Sequence, residues 1–175
     1  MWASLYISPE AQPRATRVTE ELIMDKDKIK VVTRDFDEIE VTENDIITFP
    51  RGLFAFEEER KFILLTPLGE GKSPVWLQST ENPSLCFIMF SPFEFCADYR
   101  VSVADQDVSY LELSGEENTA FYVIAVIPEN NMDSTVNMKS PVIINTARRI
   151  GGQVIAAENY PIKFPVFAKE GDASC

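Results

Sequence analysis

Apolar residues in this chain fall in short runs separated by proline, glycine, asparagine and aspartate, and sustained helical periodicity is rare. That pattern predicts many short strands joined by turns. The stretch 75–95, VWLQSTENPSLCFIMFSPFEF, is its centre. Thr80-Glu81-Asn82-Pro83-Ser84 has turn chemistry, because proline presets φ and Asn or Ser can bond local backbone. The arms on either side are apolar and β-prone, so a hairpin with a five-residue loop is expected. Its second arm is apolar on both faces, with Leu85, Phe87 and Met89 on one and Cys86, Ile88 and Phe90 on the other. A strand of that kind needs cover on both sides.

Further strands are predicted over 29–34, 39–41, 46–49, 62–65, 99–103 and 121–127, the last ended by Pro128. A final pair is predicted over 142–145 and 153–156, across the connection Arg148-Arg149-Ile150-Gly151-Gly152. Pro50-Arg51-Gly52 suits a type I turn, with Pro at i+1 and Gly at i+3. The best helical window is 105–113, with Asp105 as N-cap, Val108 and Leu111 at i, i+3, and Gly115 as the stop. Residues 1–27 and 167–175 read as tails, the first compatible with disorder by its lack of period, around a single domain at 28–166. The predicted fold class is mainly β: an antiparallel barrel-like or sandwich fold with one or two short helices.

With 175 residues, 45% of them hydrophobic, the chain suffices for one domain with a real core. Its 28 acidic and 16 basic residues leave a net charge of -12, and there is no histidine. Such a balance argues against direct nucleic-acid binding and against an anionic membrane surface, which need clustered Lys and Arg. It favours a basic or neutral protein partner, although acidity alone also serves solubility. Cys86, Cys96 and Cys175 form no CxxC pair, and their odd number fits reduced thiols and a cytoplasmic location. No apolar run is long enough for a membrane span, and the first residues lack the features of a signal peptide.

Catalytic chemistry is hard to assemble from these residues. Without histidine there is no Ser-His-Asp triad, no Cys-His pair and no imidazole metal ligand. Cys86 in an apolar strand reads as a buried structural thiol. Asp35-Phe36-Asp37-Glu38 and Asp105-Gln106-Asp107 are explained by a solvated face and a helix start more simply than by metal binding. No catalytic residue, cofactor or metal ligand is therefore predicted, and an enzyme using carboxylates and Lys is the remaining enzymatic alternative. Two segments are candidate partner surfaces. Phe54 and Phe56 beside Glu57, Glu58 and Glu59 form one, against the simpler expectation that both rings turn into the core. Asn130, Asn131 and Met132 form the other, against ordinary turn chemistry. Trp76 is expected in the core, and Gln78, on the same strand face, is left open.

Phe49-Pro50-Arg51-Gly52-Leu53 followed by Phe56-Glu57 resembles the "FPxGLxxFE" segment of the flagellar assembly factor FliW family. The resemblance continues through Trp76-Leu77-Gln78-Ser79, Asn82-Pro83, Ser91-Pro92-Phe93, Asp98-Tyr99 and the run 135–145, and ends near Gly152-Gln153-Val154-Ile155 and Tyr160-Pro161. It implies a β-barrel-like, non-enzymatic regulator. Proteins of this kind bind flagellin in the cytosol and, once flagellin is exported, bind the RNA-binding repressor CsrA, so that flagellin mRNA is translated again. Two departures stand out. The terminal segments have no counterpart in the family pattern, and Lys163 stands where an arginine is expected, which replaces a planar fork by a point charge. The competing expectation is an unrelated acidic, protein-binding β module.

Overall fold

A computed structural model describes residues 28–113, 115 and 118–167; the predicted tails lie outside the described residues apart from Phe167. In chain order the strands are β1 (Lys28–Val32), β2 (Glu38–Thr42), β3 (Ile46–Thr48), β4 (Lys61–Leu65), β5 (Val75–Ser79) and β6 (Cys86–Phe90). A short helix, α1 (Asp105–Val108), runs on into a 3-10 turn at Ser109–Leu111. After it come β7 (Thr119–Val126), β8 (Thr135–Val136), β9 (Val142–Asn145), β10 (Ile150–Gln153) and β11 (Phe164–Pro165).

Strands β3, β4, β5, β6, β7, β9 and β10 pair in that order, and β10 returns to β3, so seven strands close a barrel. Every joint is antiparallel except the last, a parallel contact of Ile150 with Thr48. Closure leaves the barrel strands without an open edge. Strand β7 is the longest because it serves two partners on one side: Thr119 to Tyr122 pair with β9, and Ala125 and Val126 pair with β8, which in turn carries β11. The predicted central hairpin forms as β5 and β6, with Val75 opposite Met89 and Gln78 opposite Cys86.

Alternation along each strand sorts side chains into an interior and an exterior. The interior holds Ile47, Phe49, Phe62, Val75, Leu77, Met89, Val142 and Ile144, all buried, with Phe49 and Phe62 edge to face at 5.1 Å. Because β6, β7 and β9 are apolar on both faces, their outer sides need cover as well, and two satellite cores supply it. Beneath β8 and β11, Val123 packs with Cys96, Tyr99, Val136, Met138 and Phe164. On the other flank Leu111, at the end of the helical segment, packs with Ile143 and Val154.

Three predicted elements differ from the structure for local reasons. Residues 99–103 form no strand, because their backbone is held by side chains and by a loop. Arg100 N donates to the Tyr160 hydroxyl at 3.0 Å, Ser102 N to the Glu158 carboxylate, and Ser102 O accepts from Ala157 N at 2.8 Å. The helix is shorter than 105–113; its N-cap is Ala104 without a side-chain cap, and Glu112 at φ 50° ends it before Gly115. The partner of β9 is shifted toward the N-terminus, so Ile150, Gly151 and Gly152 lie within the strand and not in the connection. A Cβ on Gly151 would collide with the Phe49 ring and one on Gly152 with the Tyr110 hydroxyl. These glycines let a ring and a phenol lie directly on the backbone.

Strands β1 and β2 form a separate hairpin whose tip clasps the outside of β5 and β6. Arg34 N donates to Gln78 Oε1 at 3.0 Å and Arg34 Nη1 to the Cys86 carbonyl at 2.9 Å. Asp35 accepts from Arg34 Nε at 2.9 Å and from Trp76 Nε1 at 3.0 Å, while Phe36 meets the Trp76 ring edge to face at 5.3 Å. Trp76 is thus not a core residue, as expected from its type, but a half-buried outward one under the hairpin tip. Gln78 is fully buried, and its amide nitrogen faces the carbonyls of Ser79, Asn82, Pro83 and Leu85, so it organises the β5–β6 loop from within. Cys86 and Cys96 are buried free thiols. Burial pushes the Cys86 thiol up to about 11, which leaves it protonated and unreactive at neutral pH.

Leu77→Ala should cost about 2–5 kcal/mol by opening a cavity in the barrel. Trp76→Ala should cost less, about 1–3 kcal/mol, as a half-covered ring with one hydrogen bond; urea denaturation compares the two. The Arg34 hydrogen bond, opposed by burial, holds the Asp35 carboxyl below its usual range. Its contribution is therefore present above the unfolded-state value of about 3.9 and is lost as pH falls below it through the folded-state value. In a Trp2→Phe background, Trp76 emission should stay level down to about pH 4 and shift below it. Asp35→Asn should remove that step; an unchanged step would place the titrating group elsewhere.

Candidate functional site

The segment from Phe49 to Arg60 connects β3 to β4 and carries the first predicted surface. Gly52 N donates to the Phe49 carbonyl at 2.9 Å, closing the turn predicted at Pro50-Arg51. Gly52 has φ 65°, and a Cβ there would strike the backbone of Phe56 and Glu57, so only glycine fits. A second tight turn follows, with Leu53 and Phe56 bonded to each other through their backbones and Ala55 at φ 67°. The Glu57 carboxylate accepts from Ala55 N at 3.1 Å and supports that strained position.

Two tight turns in succession decide which side chains face inward. Leu53 plugs the barrel and is 1% exposed, whereas Phe54 is 47% and Phe56 39% exposed. The expectation that both rings fold into the core is therefore replaced: Leu53 takes that place, and turn geometry leaves its neighbours outside. Phe56 rests edge to face on Phe87 at 5.1 Å, and Phe54 N donates to Gln153 Oε1 at 3.1 Å. Of the three glutamates, Glu57 and Glu58 are exposed, while Glu59 is partly covered and anchors the loop. Its carboxylate accepts from Ser79 Oγ at 2.9 Å and from Asn82 Nδ2 at 3.2 Å, tying the loop to the β5–β6 turn. Arg60 closes the base of the loop through the Pro50 carbonyl.

Beside Phe54 the fold brings in Ile155, 61% exposed, across a cleft of about 250 Å³ with Arg51 and Asp107 on its walls. Arg51 lies over the Tyr110 ring at 4.2 Å. Ile155 was not among the predicted surface residues. The only available signal was alternation after Gln153, where Val154 turns in and Ile155 out.

The second predicted surface follows β7. Asn130 Oδ1 accepts from Met132 N at 3.3 Å and Asn130 Nδ2 donates to Asp133 Oδ2 at 2.8 Å, so turn chemistry accounts for this asparagine. Asn131 lends its carbonyl to Ser134 Oγ at 2.6 Å. Met132 is left 64% exposed, near the similarly exposed end of β7 at Val126 and Ile127. Among the described residues no hydrogen bond or ring contact joins this turn to the Phe54 loop.

Among the described residues no group of carboxylates and thiols is placed to hold a metal ion, and no helix is long and apolar enough to cross a membrane. Asp35 is committed to Arg34 and Trp76, and Asp105 and Asp107 belong to the start of α1. Fold and surface together define a small closed-barrel protein with exposed apolar and acidic patches. Residues 30–166 match the family model described as FliW protein. The chain belongs to this family of flagellar assembly factors. It is 40% identical over 146 residues to the flagellar assembly factor FliW of Natranaerobius thermophilus, covering 82% of this chain and 95% of that protein. The FliW of Geobacillus kaustophilus is 35% identical, covering 81% and 98%. A crystal structure of the flagellar assembly factor FliW superposes with a TM-score of 0.74 at 33% identity, covering 81% of this chain and 99% of that one. The expectation of an unrelated β module is thereby set aside.

Phe54→Ala should change stability by no more than about 0.5 kcal/mol, whereas Leu53→Ala should cost about 2–5 kcal/mol. Glu59→Gln should cost about 1 kcal/mol through its weakened bonds to Ser79 and Asn82. Chemical denaturation of the three variants checks this division of the loop into an anchor and a free face.

Proposed function

We propose that this protein is a non-enzymatic cytoplasmic regulator that binds flagellin and, when flagellin is exported, binds the RNA-binding repressor CsrA and relieves repression of flagellin mRNA. Membership of the FliW family across the whole barrel is the observation that supports it most strongly. The surface chemistry agrees with a protein partner: Phe54 and Phe56 offer apolar area, and Glu57 and Glu58 add negative charge beside it. An acidic protein seated on an RNA-binding one repels phosphate, so antagonism does not require the RNA pocket itself to be filled. Nucleic acid is not a direct partner in this reading, given the net charge of -12.

For flagellin, the apolar run 121–127 is a natural candidate contact by its composition. Most of that strand is packed in the barrel or under its satellite cores, and only Val126 and Ile127 are exposed. The candidate flagellin surface is accordingly reduced to Val126, Ile127 and Met132, with Asn130 and Asn131 shaping the turn.

Long-range attraction speeds encounter between oppositely charged surfaces, and at physiological salt it is screened beyond about 8 Å. The association rate for CsrA, measured by stopped flow, should fall as salt rises, and Glu57→Gln with Glu58→Gln should lower it while leaving dissociation nearly unchanged. Flagellin binding should respond little to that pair and should weaken with Met132→Ser. A CsrA association rate that is flat between low and high salt would sink the electrostatic account; capture of neither protein from solution would sink the functional reading itself.

A further inference from the structure

The β5–β6 turn is held by side chains from two other elements, the tip of the β1–β2 hairpin and the Phe54 loop. From the hairpin, Arg34 N donates to Gln78 Oε1 at 3.0 Å, and this bond to the amide oxygen orients the whole group. Gln78 Nε2 then lies 3.0 to 3.3 Å from the carbonyls of Ser79, Asn82, Pro83 and Leu85. From the loop, Glu59 accepts from Ser79 Oγ at 2.9 Å and from Asn82 Nδ2 at 3.2 Å. Ser79 Oγ in turn accepts from Asn82 N at 2.9 Å and from Glu81 N at 3.2 Å. Gln78 and Ser79 are both fully buried, so water does not replace a partner lost here.

The hairpin is well braced within itself and lightly attached to the barrel. Its strands pair from Lys28 opposite Thr42 to Val32 opposite Glu38, and Thr33 Oγ1 closes the tip by donating to the Asp37 carbonyl at 3.1 Å and accepting from Phe36 N at 2.9 Å. Among the described residues, however, its backbone forms no ladder with the barrel. The tip is held by Arg34 on Gln78 and on the Cys86 carbonyl, by Asp35 on Trp76 Nε1, and by the Phe36 ring on Trp76. Arg34 and Asp35 are exposed, so these bonds are open to competition by water or by another molecule. The Phe54 loop needs its outside anchor for a different reason: Gly52 and Ala55 hold it at positive φ, and Ala55 is strained there.

We propose that Gln78 and Ser79 couple the two elements, so that release of the hairpin tip loosens the loop that presents Phe54, Phe56, Glu57 and Glu58. When Arg34 N leaves, the Gln78 oxygen loses its partner and the amide turns; the carbonyls of the β5–β6 turn then lose their shared donor. Ser79 and Asn82 no longer present Oγ and Nδ2 together, and Glu59 loses its mooring. The hairpin tip is thereby a control on a surface it does not touch. A molecule that draws Arg34 to Phe36 off the barrel weakens binding at the Phe54 loop, and a partner seated on that loop tightens the tip, because such coupling is reciprocal. This consequence for binding rests on the reading of the Phe54 loop as a partner surface, whereas the coupling is a property of the free protein.

The test is amide hydrogen exchange, followed residue by residue by NMR on the full chain without any partner. Arg34→Ala with Phe36→Ala, at one exposed and one half-buried position, should speed exchange at Asn82 and Leu85 and also at Phe56 and Glu59, by about five- to tenfold, the range that loss of a hydrogen bond or two allows. Ladder amides of β9 and β10 should keep their original rates. Gln78→Met keeps the side-chain length and removes the amide, so its loop should exchange fast from the start and no longer answer to the tip substitutions; the hairpin variant carries the test without touching a buried residue. Reciprocity requires that Glu59→Ala shift Trp76 emission in a Trp2→Phe background. Unchanged exchange at Phe56 and Glu59, acceleration spread evenly over β9 and β10, a Gln78→Met loop that still answers to the tip, or Trp76 emission unmoved by Glu59→Ala would each overturn the proposal. Failure to capture a partner would count against the functional reading alone.

Discussion

The parallel contact between β3 and β10 is the joint on which the barrel depends. Six antiparallel pairings would leave an open, curled sheet with two exposed edges; the pairing of Thr48 with Ile150 removes them. It is brief, reinforced by Thr48 N donating to the Arg149 carbonyl at 2.9 Å, and it follows a tight β9–β10 connection with Arg149 at φ 54°. Phe49 follows Thr48 directly and lies on the backbone of Gly151. The joint and the filling of the barrel are thus one arrangement, in which a glycine on one strand makes room for a ring from the next.

A closed barrel of this size can bury only one face of each strand. Here several strands are apolar on both faces, and their outer sides are covered by different means: β8 and β11 over Val123, the helical segment over Ile143, and the β1–β2 tip over Trp76 and Cys86. The chain therefore spends much of its length outside the barrel on cover. Where that cover stops, apolar side chains remain exposed: Phe54 and Ile155 at one place, Val126 and Met132 at another, Phe93 at a third. The exposed apolar patches of this protein are in this sense the margins of its packing.

The same logic separates polar residues that build from those that face outward. Gln78, Asn145 and Glu59 look alike in a sequence from any other amide or carboxylate. In the fold Gln78 collects the carbonyls of a loop, Asn145 donates to the Leu111 carbonyl at 3.0 Å and holds the end of the helical segment, and Glu59 moors one loop to another. Glu58, next to it, is left to solvent, and Glu57, although exposed, accepts from Ala55 N within its own turn. Adjacent identical residues have different work because a tight turn, not residue type, sets their direction.

The sequence by itself determined the strand-rich architecture, the central hairpin, the turn at Pro50–Gly52 and the lack of histidine chemistry, because each follows from local periodicity, turn preference or composition. Two-sided apolar strands also signalled that covering layers had to exist. Tertiary structure decided what covered them, since packing partners distant in sequence leave no local mark. It drew residues 99–103 away from a ladder by offering Tyr160 and Glu158 as partners, moved the last strand onto Gly151 and Gly152, and turned Trp76 outward. It also put Leu53 where Phe54 or Phe56 was expected, and brought Lys72 and Arg100, far apart along the chain, to neighbouring clefts that share Phe93, Thr119 and Phe121. Periodicity fixes which residues can be buried; only the closed barrel fixes how much burial there is to share among them.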